Sequence, residues 1–117
     1  MPIETRGGAP VIRRFTAANS NAITTTGQEV DIRMRDVTGF GARGPFVTKW
    51  VQISNEGSNV LRVYFTLVDF NANDTDGFID LPATTGFYEG PAETTAIWLR
   101  GVGGSTDVVL IGYARRG

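Results

Sequence analysis

The sequence predicts an all-β protein, an antiparallel β-sandwich or jelly roll of about seven or eight strands. Three observations predict this class. Short segments of alternating apolar and polar residues are separated by turn residues every 8 to 15 positions. No stretch of ten or more residues has helical periodicity, and the 15 glycines among 117 residues suit many tight corners between strands.

The first part of the chain begins with an extended arm over residues 1–10, which ends at Ala9-Pro10. Residues 11–16 follow as a candidate strand. Residues 28–34 alternate apolar with charged side chains, as expected of a strand with one face in water. The glycine-rich residues 39–45 are predicted to form a loop, because glycine tolerates unusual backbone angles and proline cannot donate to a strand ladder.

Two long apolar segments, 46–54 and 60–68, flank a short loop that contains Gly57, and this pattern predicts a β-hairpin. In the second segment one face is entirely apolar and is therefore expected in the core: Leu61, Val63, Phe65 and Leu67. The opposite face mixes apolar, aromatic and charged residues, which suggests partial cover by a neighbouring subunit: Val60, Arg62, Tyr64, Thr66 and Val68.

The second half of the chain is predicted to alternate short strands with turns. In order, these are an acidic loop, a brief strand closed by Pro82, a short extended run, a turn and two further strands: 69–77, 78–81, 87–89, 90–91, 94–102 and 107–115. The last strand is apolar on both faces around Val108 to Ile111, so it is expected to lie inside a sheet.

Composition restricts the chemistry that this chain can perform. It contains no histidine and no cysteine, so the usual near-neutral proton carrier, the commonest metal ligand and the thiol nucleophile are missing. None of the four serines lies in a Gly-x-Ser-x-Gly motif, and a domain this small rarely surrounds two carboxylates with a cleft. We therefore expect no enzymatic activity, no catalytic residues and no cofactor.

The length favours one domain, residues 11–117, preceded by the arm at 1–10. The N-terminus lacks the apolar core of a signal peptide, and no apolar run approaches the length that spans a bilayer. We expect a soluble protein that is synthesised in the cytoplasm and has no membrane partner.

Charge is distributed unevenly along the chain. Residues 1–62 have a net charge of +3, residues 63–99 of −6 and residues 100–117 of +2. This segregation gives one basic and one acidic face, or cancels if the strand order interleaves the segments. Ten of the eleven basic residues are arginine, which is enriched where protein surfaces bury each other, although a genomic bias toward arginine codons gives the same skew.

Two candidate ligand sites remain open alternatives. Asp69 to Asp80 has oxygen-bearing residues at the first, third, fifth and twelfth positions of a calcium loop, although Asp74 stands where that loop needs glycine. A solvated β-turn is the simpler interpretation, and no metal ligand is assigned. Trp50 or Trp98 could stack on a sugar ring if exposed, but each is more typical of a core or an interface.

The calculated pI of about 5.3 argues against nucleic acid as a partner.

The chain resembles the small auxiliary structural proteins of tailed bacteriophages. The features that carry the resemblance are the arm Met1-Pro2-Ile3-Glu4-Thr5-Arg6-Gly7-Gly8-Ala9-Pro10, the end Tyr113-Ala114-Arg115-Arg116-Gly117, and the runs Gly86-Phe87-Tyr88-Glu89-Gly90-Pro91 and Ile97-Trp98-Leu99-Arg100-Gly101. The resemblance implies a jelly-roll capsid cement or decoration protein. Such a protein binds the outside of an assembled head, associates with its own copies and reinforces contacts between major capsid proteins.

The resemblance leads to expectations about partners, location and contacts. The partners would be the major capsid protein and copies of this chain, on the surface of the virion. The residues expected to make these contacts lie in the arm, in the first strand and at the C-terminus: Ile3, Arg6, Arg13, Arg14, Arg115 and Arg116. The alternative function is a carbohydrate-binding or receptor-binding β-sandwich module of a fibre, a tail or a secreted enzyme.

Overall fold

The computed structural model describes residues 11–32, 48–72 and 77–113. These residues form eight strands: β1 (Val11–Phe15), β2 (Gln28–Asp31), β3 (Thr48–Asn55), β4 (Val60–Tyr64), β5 (Phe78–Leu81), β6 (Phe87–Thr94), β7 (Ala96–Val102) and β8 (Val108–Tyr113). One short helix, α1 (Leu67–Ala72), follows β4, and a single 3-10 turn lies at Ala17–Asn19.

The strands form two antiparallel sheets of four. The first sheet has the order β1-β8-β3-β6 and the second has the order β2-β7-β4-β5. Four pairs follow one rule, β1 with β8, β2 with β7, β3 with β6 and β4 with β5, as if one long hairpin had been rolled into a sandwich. This is the strand order of an eight-stranded jelly roll, so the predicted fold class is confirmed.

The hydrophobic core lies between the two sheets. Alternate residues of each strand point inward, and most of them are aliphatic, since β-branched and leucine side chains fill a pleated interior well. Twelve hydrophobic side chains of the described residues are essentially inaccessible to solvent: Ile23, Val30, Ile32, Val51, Ile53, Leu61, Val63, Tyr64, Ile97, Leu99, Val108 and Leu110. Eleven of them are aliphatic and the exception is Tyr64, to which the candidate site returns.

One end of the sandwich is held by the buried side chain of Asn55. Its amide nitrogen donates to three main-chain oxygens at 2.9 to 3.0 Å, those of Asn59, Leu81 and Pro82. Its amide oxygen accepts from the Thr106 hydroxyl at 2.6 Å and from the Gly57 N–H at 3.2 Å. A single polar side chain therefore joins the three loops that follow β3, β5 and β7, and every hydrogen-bonding atom of its amide is used.

The predicted hairpin between 46–54 and 60–68 is wrong, because β3 and β4 belong to different sheets. The loop between them crosses the end of the sandwich and does not return along the same sheet. The contacts of Asn55 explain this path, since they tie the loop to segments of both sheets. At Gly57, an added Cβ would collide with Thr106 and the backbone of Asp107, so the loop depends on a residue without a side chain there.

The segment after β4 also departs from the prediction. The strand ends at Tyr64 and the chain turns into α1, although strand was predicted to Val68 and a loop from Asp69. Thr66 caps the helix, because its hydroxyl oxygen accepts from the Asp69 N–H at 3.1 Å. Leu67 is consequently 49% exposed and is not part of the core, whereas Leu61 and Val63 are buried as predicted.

Other predicted boundaries are corrected by smaller amounts. Gly90-Pro91, predicted to be a turn, lies within β6, which is the edge strand of its sheet and so tolerates the missing N–H of proline. The strand predicted at 94–102 begins at Ala96. The last strand lies between β1 and β3, which confirms its predicted interior position.

The uneven charge along the sequence is partly cancelled by the fold. Arg62 pairs with Asp80 through two hydrogen bonds of 2.8 and 2.9 Å, and Lys49 pairs with Glu93 at 2.9 Å. In both pairs the basic residue comes from the positive first segment and the acidic residue from the negative middle segment. The strand order therefore interleaves the charged segments, which was one of the two predicted outcomes.

Candidate functional site

The two sheets differ in how their outer faces are covered. On the second sheet, Tyr64 points outward and is nevertheless buried. The ring of Phe70 on α1 packs edge-on against it with centroids 5.3 Å apart, and Phe78 does the same from β5 at 5.9 Å. The cover over this face therefore comes from the chain itself, and the predicted cover by a neighbouring subunit is not needed to explain the pattern of β4.

Arg100 on β7 holds α1 in place over the second sheet. Its guanidinium lies 4.4 Å from the centre of the Phe70 ring and donates to the Phe70 carbonyl oxygen at 3.2 Å. It also donates to the Thr26 carbonyl oxygen at 3.1 Å, which ties the loop before β2 to the same point. A planar guanidinium can bond several acceptors and stack on a ring at once, which an ammonium group cannot do.

Arg62 completes the cover on the same sheet. It lies opposite Arg100 across the β4–β7 pair, an arrangement of like charges that is unfavourable by itself. The bidentate pair with Asp80 compensates one of these charges, and the Arg62 guanidinium also lies 4.0 Å from the centre of the Phe78 ring. Arginines and aromatic rings thus form a closed layer over this face.

The first sheet presents its outer face differently. The register of its four strands places eleven outward side chains in three rows across the sheet. The rows are Arg14, Val109, Ser54 and Phe87; then Ile12, Ile111, Gln52 and Glu89; then Tyr113, Trp50 and Pro91. We call this surface the open face. No helix or strand among the described residues packs over it.

The open face is mostly apolar and accessible. Ile12 on one edge strand is 58% exposed and Phe87 on the other edge strand is 56% exposed, while the side chains between them are half-buried. Trp50 donates its indole N–H to Glu89 at 3.0 Å, and Tyr113 donates its hydroxyl to Gln52 at 3.3 Å. These bonds hold the polar groups of the face in the plane of the sheet. Contiguous exposed apolar area of this kind marks an interaction surface.

The structure separates the residues that were predicted to bind partners. Arg14 points outward on the open face, whereas Arg13 points inward at the edge of the sandwich and donates to the Asp31 carbonyl oxygen at 2.6 Å. Arg13 therefore bridges β1 of one sheet to β2 of the other. The remaining four predicted contacts lie outside the described residues: Ile3, Arg6, Arg115 and Arg116.

The two tryptophans lie on opposite sides of the sandwich, and each is half-buried. Trp98 occupies the outer face of the second sheet beside Tyr64. Trp50 occupies the open face beside Tyr113, with Gln52 and Glu89 in the next row. Trp50 therefore combines a neighbouring aromatic ring with nearby hydrogen-bonding groups on the open face, whereas Trp98 lies between the buried Tyr64 and the exposed Glu29.

The described ends of the candidate calcium segment are engaged in other contacts. Asp69 lies on α1 and accepts a hydrogen bond from the Thr66 hydroxyl at 3.0 Å, and Asp80 is paired with Arg62. Asn71 lies exposed on α1, and residues 73–76 lie outside the described residues. Within the described ranges, no group of three or more acidic side chains is placed to hold a metal ion.

A small cavity of about 210 Å³ opens at the β6 edge of the sandwich. Its walls are the Phe65 and Tyr88 rings, whose centroids are 5.7 Å apart, together with Pro91, Ala92 and the backbone toward Thr94. Glu93 is the acidic residue of its lining and is paired with Lys49. The cavity therefore offers aromatic and aliphatic contacts and no free charged group for a ligand.

Sequence reasoning missed the open face because it depends on register. The signals were present: β8 is apolar on both sides, and Ile12, Trp50 and Phe87 occupy alternate, outward positions of their strands. Which of these positions lie side by side follows only from the pairing of β1, β8, β3 and β6. All three of these pairings join strands far apart in sequence.

Comparisons with known proteins add no family to this description. No protein-family model matches the chain, and no curated protein or solved structure matches it. Among the described residues there is no helix with the length and hydropathy that crossing a membrane requires. Fold and surface are therefore the observations from which a function is inferred.

Proposed function

We propose that this protein is a non-enzymatic structural subunit that decorates the outside of an assembled phage head and reinforces contacts between major capsid proteins. The observation that carries the proposal is the contrast between the two outer faces. One face is closed by α1 and the arginine–aromatic layer, and the other is open and apolar. A jelly roll with one adhesive face suits a subunit that is built into a larger assembly.

The mechanism is physical. A protein that binds only the assembled state of a shell stabilises that state by mass action, and many copies that bind together make weak individual contacts sufficient. A rigid sandwich suits this role, since little conformational entropy is lost when it docks. The protein would be synthesised in the host cytoplasm and would end on the capsid surface of the virion.

The shell contacts are assigned to the arm and the terminal arginines. Ile3 and Arg6 in the arm, with Arg115 and Arg116 at the C-terminus, would meet the major capsid protein, where guanidinium groups pair with acidic side chains. Arg14 is exposed and available for such a contact. Arg13 contributes indirectly, because its bond to Asp31 keeps the two sheets together at that edge.

Deletion of residues 1–10 tests this assignment. We expect the shortened protein to fold, because the core and all eight strands lie at or beyond Val11. We also expect it to lose most of its binding to phage heads that were assembled without this protein, as measured by co-sedimentation. Circular dichroism of the shortened protein is the control for folding. Equal sedimentation of the full and shortened proteins with heads would refute the role of the arm.

A second candidate function is glycan or receptor binding, and the pairing of Trp50 with Tyr113 beside Gln52 and Glu89 favours it. Aromatic rings stack on sugar faces, and amide and carboxylate groups bond sugar hydroxyls. A glycan array separates the two candidates. A specific signal that Trp50→Ala abolishes and Trp98→Ala retains would favour the glycan-binding function, whereas an array without signal would favour the structural role.

A further inference from the structure

We propose that the open face is a self-association surface, on which a second copy of this chain packs face to face through a two-fold axis that runs parallel to the strands. The inference rests on the proposed structural role and names the occupant of the open face. The inference is based on the positions of the charges on the open face. A two-fold axis brings oppositely charged edges of two copies together.

The open face carries opposite charges at opposite edges. Arg14 lies on β1 at one edge, and Glu89 lies on β6 at the other edge. Both side chains are exposed. Within the described part of the chain, the Arg14 guanidinium has no carboxylate partner, and the Glu89 carboxylate accepts only the neutral indole N–H of Trp50. Apolar side chains of β8 and β3 occupy the area between the two charges.

A two-fold axis along the strands places these edges against each other. Such an axis places β1 of one copy over β6 of its partner. The same β1–β6 contact occurs twice in the interface, as an isologous contact requires. Arg14 then faces Phe87 of the second copy, which occupies the same row, and Glu89 of the second copy is one row away, roughly 7 Å along the strand. An arginine side chain reaches both, so each edge gains an ion pair and a cation–π contact.

The same packing covers the two most exposed large apolar side chains of the open face. Ile12 of one copy lies over the β6 edge of the other, and Phe87 lies over the β1 edge, so both lose their contact with water. In the middle, β8 of one copy lies over β3 of the other, so Val109 faces Ser54 and Ile111 faces Gln52 of the second copy on either side of the axis. Two sheets packed face to face in this way form an ordinary aligned sandwich interface.

The size of the open face predicts weak association. Four strands about 4.8 Å apart and three rows roughly 7 Å apart give a footprint of about 400 Å² per copy. Stable interfaces bury more than about 1,000 Å² in total, so this contact alone is at the weak end of the range. We therefore expect micromolar or weaker self-association in solution, which becomes effective when a shell holds many copies close together.

A second copy fits the face better than an unrelated protein does. A partner of one charge sign would be repelled by one of the two edges, because Arg14 and Glu89 are opposite in sign. A partner with both signs in the required places is this face itself, rotated by half a turn. In the self-associated pair, Arg14 and Glu89 of one copy are paired with Glu89 and Arg14 of the other.

Charge reversal tests the pairing directly. Sedimentation-velocity measurements over a concentration range from about 1 µM to 1 mM give the dissociation constant of the native chain and the variants. We expect Arg14→Glu and Glu89→Arg each to raise this constant at least tenfold, and the double variant to restore it to within about threefold of the native value. Restoration in the double variant is the result that a merely structural effect of either substitution would not produce.

Glu29→Arg is the matched control. Glu29 is exposed on β2, which belongs to the second sheet and not to the open face. Glu29→Arg changes the net charge by the same amount as Glu89→Arg, so it should leave self-association unchanged. Phe87→Ser removes apolar area from the open face without touching the core, and it should also raise the dissociation constant at least tenfold. A native chain that remains monomeric at 1 mM, or single reversals that behave like Glu29→Arg, would overturn the inference.

The outcome is distinguishable from failure of the proposed function. Head binding is measured separately, by co-sedimentation at protein concentrations below the self-association range. If the native chain binds heads as a monomer and never self-associates, only the present inference fails and the decoration role stands. If the chain self-associates but binds no heads, the inference stands and the decoration role fails.

Discussion

Asn55 shows how one residue can decide where a chain turns. A carboxamide with five hydrogen-bonding neighbours is placed at the end of a strand, where its donors and acceptors satisfy three loops that would otherwise have unpaired backbone groups in a buried position. Apolar residues could fill the same volume but would leave those carbonyls without partners, at a cost of about 1 to 3 kcal/mol for each.

Asn55→Asp is therefore expected to destabilise the fold by about 3 kcal/mol or more at neutral pH, because a carboxylate oxygen would replace the amide that now faces three carbonyl oxygens. Burial among carbonyls raises the pKa of the introduced carboxyl above its usual value. The folded state then binds a proton more tightly than the unfolded state, so the variant is most stable in acid and loses stability as the pH rises above about 4.

Urea unfolding of the native chain and of the variant, at several pH values between about 4 and 8, measures this effect. Asn19→Asp is the control, since Asn19 is exposed and its side chain makes no hydrogen bond among the described residues. A pH-independent difference between Asn55→Asp and the native chain would contradict the proposed arrangement.

The residue scale was also the least predictable from sequence. Asn55 stood in a predicted loop boundary, where asparagine is common for reasons of turn chemistry, so its buried role had no distinct signal. Arg13 and Arg14 are adjacent and were predicted to act alike. The alternation of side chains along β1 sends one inward to Asp31 and the other outward to the open face, a difference that depends on which face of the strand meets the core.

At the scale of elements, α1 is held by contacts rather than by its own stability. Six residues are too few for a helix to persist alone in water. Its cap at Thr66 fixes the start, and Arg100 fixes its position through the Phe70 ring and carbonyl. The helix in turn covers Tyr64, so this part of the cover over the second sheet depends on Arg100.

Arg100→Lys is expected to loosen α1. An ammonium group retains the charge but cannot bond the Phe70 and Thr26 carbonyl oxygens while it stacks on a ring, so we expect a loss of about 1 to 2 kcal/mol in unfolding free energy. Amide hydrogen exchange within residues 67–72 should accelerate more than exchange in β3 or β8. Arg14→Lys, on an exposed arginine, should change neither quantity, and equal exchange rates in α1 of Arg100→Lys and of the native chain would count against this role.

Most strands could be predicted, whereas their partners could not. Alternation and turn residues located seven of the eight described strands to within about four residues, because those signals are local, whereas of β6 only the short run 87–89 was predicted and its continuation through Pro91 was predicted as a turn. The α1 segment was predicted as strand and loop, since six residues with a single capping threonine are too short for a periodic pattern. The hairpin error has the same origin: a short glycine-containing loop between apolar runs is equally compatible with a turn within one sheet and a crossing between two.

At the scale of the whole molecule, the two sheets differ in how their outer faces are covered. The second sheet uses arginine, aromatic rings and α1 to cover its outer face, whereas no helix or strand of the described residues covers the outer face of the first sheet. Composition alone favoured an interaction protein, through the excess of arginine over lysine. The fold adds that two of the described arginines, Arg62 and Arg100, serve internal cover. Part of the excess of arginine is therefore explained by contacts within the chain.

The rolled-hairpin order of the strands has a consequence for synthesis. The innermost pair, β4 with β5, joins residues close in sequence, while β1 pairs with β8 across almost the entire described chain. Closing such distant contacts is slow, and β1 has no partner strand until the ribosome has released β8. During that interval the apolar side chains of the first sheet are unprotected, so the nascent chain is more prone to aggregate than the finished protein, and its yield should depend on chaperones and on low temperature.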